Sequence, residues 1–486
     1  MDSLYLTIEE ARRGLAEKKY SSHELIQASL DRISALNPKL NAFLTVTAET
    51  ALAQADEIDA KRLRGDQLSP LAGLPLAVKD VLATRGVRTT AGSKILEQYI
   101  PPYTATAVQR LFDAGAIMVG KTNCDEFAMG SSGEWSAYGP TRNPWNTERV
   151  PGGSSSGSAA ALASGMCLSA LGTDTGSSVR QPAGFCNLVG LKPTYGRVSR
   201  YGLIAMASSL DQVGIFARTV EDSALILETI AGHDSLDSTS VSKTIFDLKE
   251  SLKDVPKGLR LGIPKEYFID GLDPAVETAI RKAIEDLRGL GFTIVDVSLP
   301  HTPDALAVYY LIMPAEASSN LARYDGIRYG LSLGDEAKDL IDIYRKTRAA
   351  GFGPEPKRRI ILGTYVLSSG YYDKYYLKAQ KVRSVIIQEY KDIFKTVDCL
   401  VTPTSPTVPF VIGERKEDPL QMYLADIFTV SANIVGLPAI SIPAGFSDGL
   451  PIGLQLIGPH FQEHRLYQVA RTYQAATSWH RQYPVG

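Results

Sequence analysis

Ten glycines and eleven serines fall among the 56 residues from 130 to 185, a density that a regular helix or strand does not tolerate without a reason. They concentrate in two clusters, Gly152-Gly153-Ser154-Ser155-Ser156-Gly157-Ser158 and Gly172-Thr173-Asp174-Thr175-Gly176-Ser177-Ser178-Val179-Arg180. Both are embedded in apolar sequence (Ala159 to Ala163, Cys167 to Leu171, Leu188 to Leu191), so neither reads as a flexible linker. A phosphate loop is a poor match: the Gly-x-x-x-x-Gly-Lys-Ser/Thr spacing is missing, and the next lysine, Lys192, lies beyond Gln181-Pro182, which interrupts a helix. Gly153-x-Ser155-x-Gly157 has the letters of a hydrolase nucleophile elbow. An elbow needs an apolar strand directly before it, and Asn143 to Pro151 is not one. The clusters instead suit backbone that approaches a ligand closely, with hydroxyls that attack or pass on a proton.

Serine chemistry needs a base. The histidines are His23, His233, His301, His460, His464 and His480, and the order Ser…His stays open by count alone. A buried lysine is the other option. Lys79 closes the apolar run Leu74-Pro75-Leu76-Ala77-Val78, and at the end of a buried strand desolvation lowers a lysine from ~10.4 toward the neutral amine that a base requires. A Lys-Asp step such as Lys79-Asp80 also suits a surface strand end, so both readings stand on the residues alone.

The rest of the chain frames these clusters. In residues 1–70, Thr7 with Glu10 and Ser21 with Glu24 are spaced as capping boxes ahead of helical periodicity, which predicts a helical cover. From Leu71 to about 300, short apolar runs alternate with helical stretches, the pattern of an α/β core with strands covered on both faces. Examples are Leu74 to Val78, the helix Ala107 to Ala114, and Ala116 to Val119. Residues 301–396 read as a helical layer rich in tyrosine, with most hydroxyls at its rim and the remainder free to line a pocket. Residues 397–486 return to strands at Leu400 to Thr402, Ala439 to Pro443 and Ile452 to Ile457, then a helix at Leu466 to Ala476. Strands near both ends suggest one sheet and a single large domain over 1–486.

Lys and Arg number 51 against 53 Asp and Glu, with no basic stripe, which argues against direct nucleic-acid binding as the main function. Cys124, Cys167, Cys186 and Cys399 form no Cys-x-x-Cys pair, which fits a reducing compartment and points to neither a disulfide framework nor a thiolate metal site. No leader-like pattern opens the chain and no run of ~18 apolar residues occurs, so the expectation is a cytoplasmic protein without a membrane partner.

With Lys79, Gly152 to Ser158 and Gly172 to Ala183, the chain resembles the amidase signature family, whose chemistry runs through a Ser-(cis)Ser-Lys triad. The spacings fit, 75 residues from Lys79 to Ser154 and 24 from Ser154 to Ser178. The resemblance implies Ser178 as the acylated nucleophile, Ser154 as the serine that passes on its proton, and Lys79 as the base. It implies the backbone N–H groups of Thr175, Gly176, Ser177 and Ser178 as the oxyanion hole. It also implies the family fold, a mixed central sheet with helices on both faces. Ser156 and Ser177 stand where the family commonly has glycine, and Gly133-Glu134-Trp135 replaces a more familiar Thr-Glu-Asn. Whether Ser177 disturbs the oxyanion loop turns on its backbone, since only φ > 0 strictly demands glycine.

Stretches such as Asp125 to Ser132, Gly190 to Ser199, Lys357 to Ile360, Leu367 to Asp373 and Asp418 to Tyr423 are similar to the glutaminase subunits of tRNA-dependent amidotransferases. That similarity implies hydrolysis of glutamine, with the ammonia used to convert Glu-tRNA(Gln), Asp-tRNA(Asn) or both. It implies a heterotrimer with partner subunits B and C, tRNA held mainly by a partner, ATP and Mg used there, and neither cofactor nor metal in this chain. Glutamine carries an α-ammonium and an α-carboxylate, so its pocket needs an acidic and a basic anchor. The resemblance assigns Asp426 to the ammonium and Arg359 to the carboxylate, with Tyr310 nearby. Arg358 is the alternative to Arg359, and a solvated helix charge is the ordinary reading of either. Two other functions stay open, a stand-alone amidase of small or aryl amides and an assembly subunit with impaired catalysis.

Overall fold

Apolar runs bounded by glycine, proline and polar turns become strands in the computed structural model, which describes residues 5–243, 251–252, 256 and 258–484. In chain order they are β1 (Phe43–Val46), β2 (Pro75–Lys79), β3 (Ile117–Thr122), β4 (Ser169–Asp174), β5 (Val189–Lys192), β6 (Gln212–Ala217), β7 (Arg260–Pro264), β8 (Thr293–Val297), β9 (Cys399–Pro403), β10 (Ala439–Ser447) and β11 (Leu450–Ile457). All join one 11-stranded sheet in the order β1-β3-β2-β4-β6-β5-β10-β11-β9-β7-β8. The sheet is mixed. β2 runs parallel to β3 and β4, and β7 to β8 and β9, whereas the other neighbours pair antiparallel. The five strands expected from the apolar runs on both sides of the helical stretch all lie in this sheet.

Successive strand residues feed different cores, as the two-residue period of a strand requires. Leu76, Val78, Leu171 and Ile215 pack into the larger apolar cluster, with the helices Val220–Ile230, Pro274–Gly289, Thr302–Leu321, Lys378–Ile393 and Glu463–Ala476. Ala77, Ala170 and Phe216 pack into a second cluster, with the helices Ser22–Leu40, Ala48–Arg64 and Ser156–Ala163. Both faces are therefore covered by helices. Strands β2 to β6, with β9 and β11, are buried over nearly their whole length, which is why they read as apolar runs and not as alternation.

Both capping boxes form. Thr7 N–H donates to Glu10 and Glu10 N–H to Thr7 Oγ1 at 2.8 and 3.1 Å, and Ser21 and Glu24 do the same at 2.8 and 3.0 Å. Such caps contribute about 1 kcal/mol each. The opening seventy residues also carry an edge strand, β1, which pairs antiparallel with β3. Its four residues follow directly on a helix and are too short to show a period. In the tyrosine-rich layer, the helices Thr302–Leu321, Leu340–Gly351, Pro354–Leu367 and Lys378–Ile393 are joined near the last by a π-helical turn, Tyr372–Leu377. Tyr365, Tyr371 and Tyr375 stack on one another at the surface or beside it, while Tyr309 and Tyr310 turn inward. All four cysteines are buried free thiols. Among the described residues no helix is long and apolar enough to cross a membrane.

Candidate active site

The parallel register of β2, β3 and β4 brings three strand ends to one place, because Val78 lies opposite Leu171 and Lys79 opposite Thr122. Loops leave that end carrying Lys79, the stretch Asp125 to Ser132, and the turn Thr175 to Ser178. Open α/β sheets bind ligands beyond the carboxyl ends of parallel strands for this reason.

Lys79 is wholly buried at the end of β2. Its Nζ donates to Ser154 Oγ at 2.8 Å, Ser155 Oγ at 2.9 Å and Thr173 Oγ1 at 2.8 Å. Burial pushes the ammonium down to about 8, against the pull of Cys124, Asp125, Asp174 and Asp211. The surface reading of Lys79-Asp80 fails, since Asp80 is buried as well, against Lys121 at 3.2 Å. The two serines beside Lys79 are not equivalent. Ser155 Oγ donates to the Thr173 carbonyl at 3.1 Å, so its hydrogen is committed. Ser154 Oγ has Lys79 as its one side-chain partner among the described residues, so its hydrogen is available for relay.

The Gly153–Ser154 peptide is cis, and Gly152 before it takes φ +83°, a conformation that favours glycine. A Cβ on Gly152 would also sit 2.8 Å from Pro182 Cα. Asp125 holds this loop, its N–H donating to the Ser154 carbonyl at 3.3 Å while its carboxylate accepts from the N–H groups of Gly133 and Trp135. The Gly133-Glu134-Trp135 segment thus supports the serine loop. Burial raises Asp125 to about 7.

The turn after β4 is pinned from three sides. Thr175 Oγ1 donates to Asp211 at 2.8 Å, Ser177 Oγ donates to Asp426 at 2.6 Å, and the Gly176 carbonyl accepts from Arg180 at 2.9 Å. Burial would raise Asp174, but Arg180, paired with it at 2.9 Å, holds it down at about 2. A Cβ on Gly176 would fall 2.7 Å from the Tyr309 hydroxyl, so glycine permits that approach. Among the described residues the N–H groups of Thr175, Gly176, Ser177 and Ser178 donate no hydrogen bond. Four free donors in a nearly buried turn suit a developing oxyanion. Ser178 itself is 5% exposed, its Oγ is bonded to no described residue, and its carbonyl accepts from Ser155 N–H at 3.3 Å. Lys79 and Ser154 are thus hydrogen-bonded to each other, and the Ser178 backbone meets Ser155, the residue after Ser154. Ser156 and Ser177 both lack a positive φ, so neither is strained where the family commonly has glycine.

The expected anchors lie together. Asp426, 3% exposed, accepts from Ser131, Ser177 and Tyr310, and burial raises its carboxyl despite those hydroxyls and nearby Arg359. Tyr310 stacks on Tyr423 at 4.0 Å, and the Arg359 guanidinium lies 5.7 Å from the Tyr310 ring. Arg359 is buried and its Nε donates to Glu355 at 2.7 Å, whereas the Arg358 side chain is 39% exposed and lies over Trp135. Sequence reasoning missed Ser155, Thr173, Asp125, Ser131, Glu355 and Tyr423. Glu355 had a signal, four residues before Arg359 on one helix face. Four of the six histidines are engaged elsewhere: His23, His233, His301 and His460 bond to Asp56, Ser240, Asp304 and Val435. Nor does a strand stand between Thr122 and Ser169 to build an elbow.

A family model described as Amidase matches residues 24–467. The A subunit of glutamyl-tRNA(Gln) amidotransferase from Geobacter metallireducens is 58% identical over 483 residues, 99% of this chain and 99% of that one. Its counterpart in Moorella thermoacetica is 56% identical over 484 residues, 100% of this chain and 99% of that one. The crystal structure of the same A-type protein from Thermotoga maritima aligns with a TM-score of 0.80 at 42% identity, covering 97% of this chain and 95% of that chain. A mixed sheet with a lysine and clustered serines at its strand ends, together with similarity over the full length, makes this chain a member of the amidase family, alongside the A subunits of glutamyl-tRNA(Gln) amidotransferases.

Proposed function

We propose that this chain is the glutaminase subunit of a tRNA-dependent amidotransferase and that it works in the cytoplasm. Ser178 Oγ attacks the side-chain carbonyl carbon of glutamine, and its proton passes through Ser154 to Lys79. The N–H groups of Thr175 to Ser178 hold the oxyanion. The proton returns to the leaving nitrogen, ammonia departs, and water cleaves the γ-glutamyl ester by the same relay in reverse. Asp426 receives the α-ammonium, and Arg359, beside Tyr310, receives the α-carboxylate. Arg358 is less suited, its side chain being 39% exposed where that of Arg359 is buried.

The observation that carries this reading is Lys79, buried, lowered to about 8 and hydrogen-bonded to Ser154. The names of the relatives support the remainder. On that basis ammonia passes to a partner in a heterotrimer with subunits B and C, which activates Glu-tRNA(Gln), Asp-tRNA(Asn) or both with ATP and Mg.

A formal charge of −2 without a basic stripe gives this chain little grip on tRNA, because non-specific affinity comes chiefly from Lys and Arg on phosphates. The isolated chain is therefore expected to bind tRNA weakly, and its glutamine turnover to rise when partner subunits and misacylated tRNA order the site. Turnover measured for the chain alone and for the reconstituted complex, with Ser178→Ala as blank, tests this. Full-rate hydrolysis of a small amide by the isolated chain, unchanged by partners, would instead mark a stand-alone amidase. No hydrolysis in either form would mark an assembly subunit.

A further inference from the structure

The buried Asp426 carboxylate pairs with no lysine or arginine among the described residues, and three hydroxyls hold it instead. Ser131 Oγ donates to Oδ2 at 2.6 Å and Tyr310 donates to the same oxygen at 3.2 Å. Among the described residues Oδ1 has Ser177 Oγ as its one partner, at 2.6 Å. These contacts come from three separate parts of the fold: the loop after β3, the helix Thr302–Leu321 and the turn after β4. Only Ser177 belongs to the turn that presents Ser178. Its side chain therefore ties the ammonium anchor to the strand-end turn, across 249 positions of sequence, while its main chain supplies one of the free N–H groups.

We propose that Ser177 is a positioning residue that fixes the span between the Asp426 carboxylate and Ser178, and so favours amides that carry an ammonium at glutamine's distance from the amide carbon. This rests on the roles given above to Asp426 and Ser178. The Ser177 hydrogen bond fixes Oδ1 against the turn that carries Ser178. Without it only the two hydroxyls on Oδ2 restrain rotation of the carboxylate about Cβ–Cγ, and an arriving ammonium must then order the group itself.

The test compares glutamine with glutaramate, the same ω-amide without the α-ammonium, as substrates of the complex carrying Ser177→Ala or Ser177→Thr. Loss of one hydrogen bond to a charged group is expected to raise KM for glutamine about tenfold or more. The ratio of kcat/KM for glutamine over glutaramate should fall by a similar factor, and Ser177→Thr, which keeps the hydroxyl, should restore most of it. Ser177→Gly removes the same hydroxyl and serves if the alanine chain does not fold. An equal proportional loss on both amides, or an unchanged ratio, overturns the proposal and leaves Ser177 a structural residue of the turn. A wild-type complex that does not hydrolyse glutamine, or a Ser178→Ala complex that does, overturns the underlying reading of the site, a result the ratio alone would not give.

Discussion

Ser178→Ala is expected to bring glutamine hydrolysis down to the assay background, a loss on the order of 10⁶-fold, with fold and complex assembly retained. The asymmetry follows from the surroundings of the residue. Ser178 Oγ is bonded to no described residue, so its removal leaves no buried partner unsatisfied and opens almost no cavity. Stability should therefore change by less than about 1 kcal/mol. The purified variant, assayed for ammonia release and melted beside wild type, checks both halves. Ordinary glutaminase activity in that variant would remove Ser178 from the mechanism.

Lys79→Arg should be nearly as inactive as Lys79→Ala, although it keeps the positive charge. An arginine does not give up its proton in a protein, so the substitution removes the base. It also places a planar, longer group among Ser154, Ser155 and Thr173, whose oxygens lie 2.8 to 2.9 Å from the ammonium. The wild-type pH dependence tests the same point. Because burial lowers Lys79 to about 8, only about a tenth of it is neutral at pH 7, and the neutral form is the base. The expected kcat/KM therefore rises with pH through about 8 and levels off above it. A Lys79→Arg enzyme keeping a sizeable fraction of the rate, or a flat profile from pH 7 to 9, would reduce Lys79 to a cation that merely holds the loop.

The parts of this site that were legible in the sequence are those that local chemistry dictates. Lys79 ends an apolar run, and the two Gly/Ser clusters have no use in a helix or strand, so lysine and serines stood out before any tertiary contact was known. Capping boxes were legible for the same reason, since both partners lie within four residues. Ser155 and Thr173 were not, because their place at Lys79 depends on the register of β2 against β4. The Asp426 network joins residues up to 295 positions apart, and nothing local marks Ser131 as a partner. The choice between Arg358 and Arg359 was open because adjacent residues on a helix differ only in the face they occupy. Packing settles that face: one arginine is buried beside Tyr310 and Tyr423, and the other is at the surface. β7 and β8 lie at the far edge of the sheet beside β9, a placement set by long-range pairing.

A covalent intermediate on Ser178 separates nucleophilic catalysis from direct attack by water. The complex is mixed with glutamine, quenched in acid within a turnover and digested, and the peptide containing Ser178 is weighed by mass spectrometry. A γ-glutamyl adduct is expected on Ser178, decaying as glutamate appears and missing from Ser178→Ala. Hydrolysis at full rate with no adduct on Ser178, or with the adduct on another residue, would contradict nucleophilic attack by Ser178.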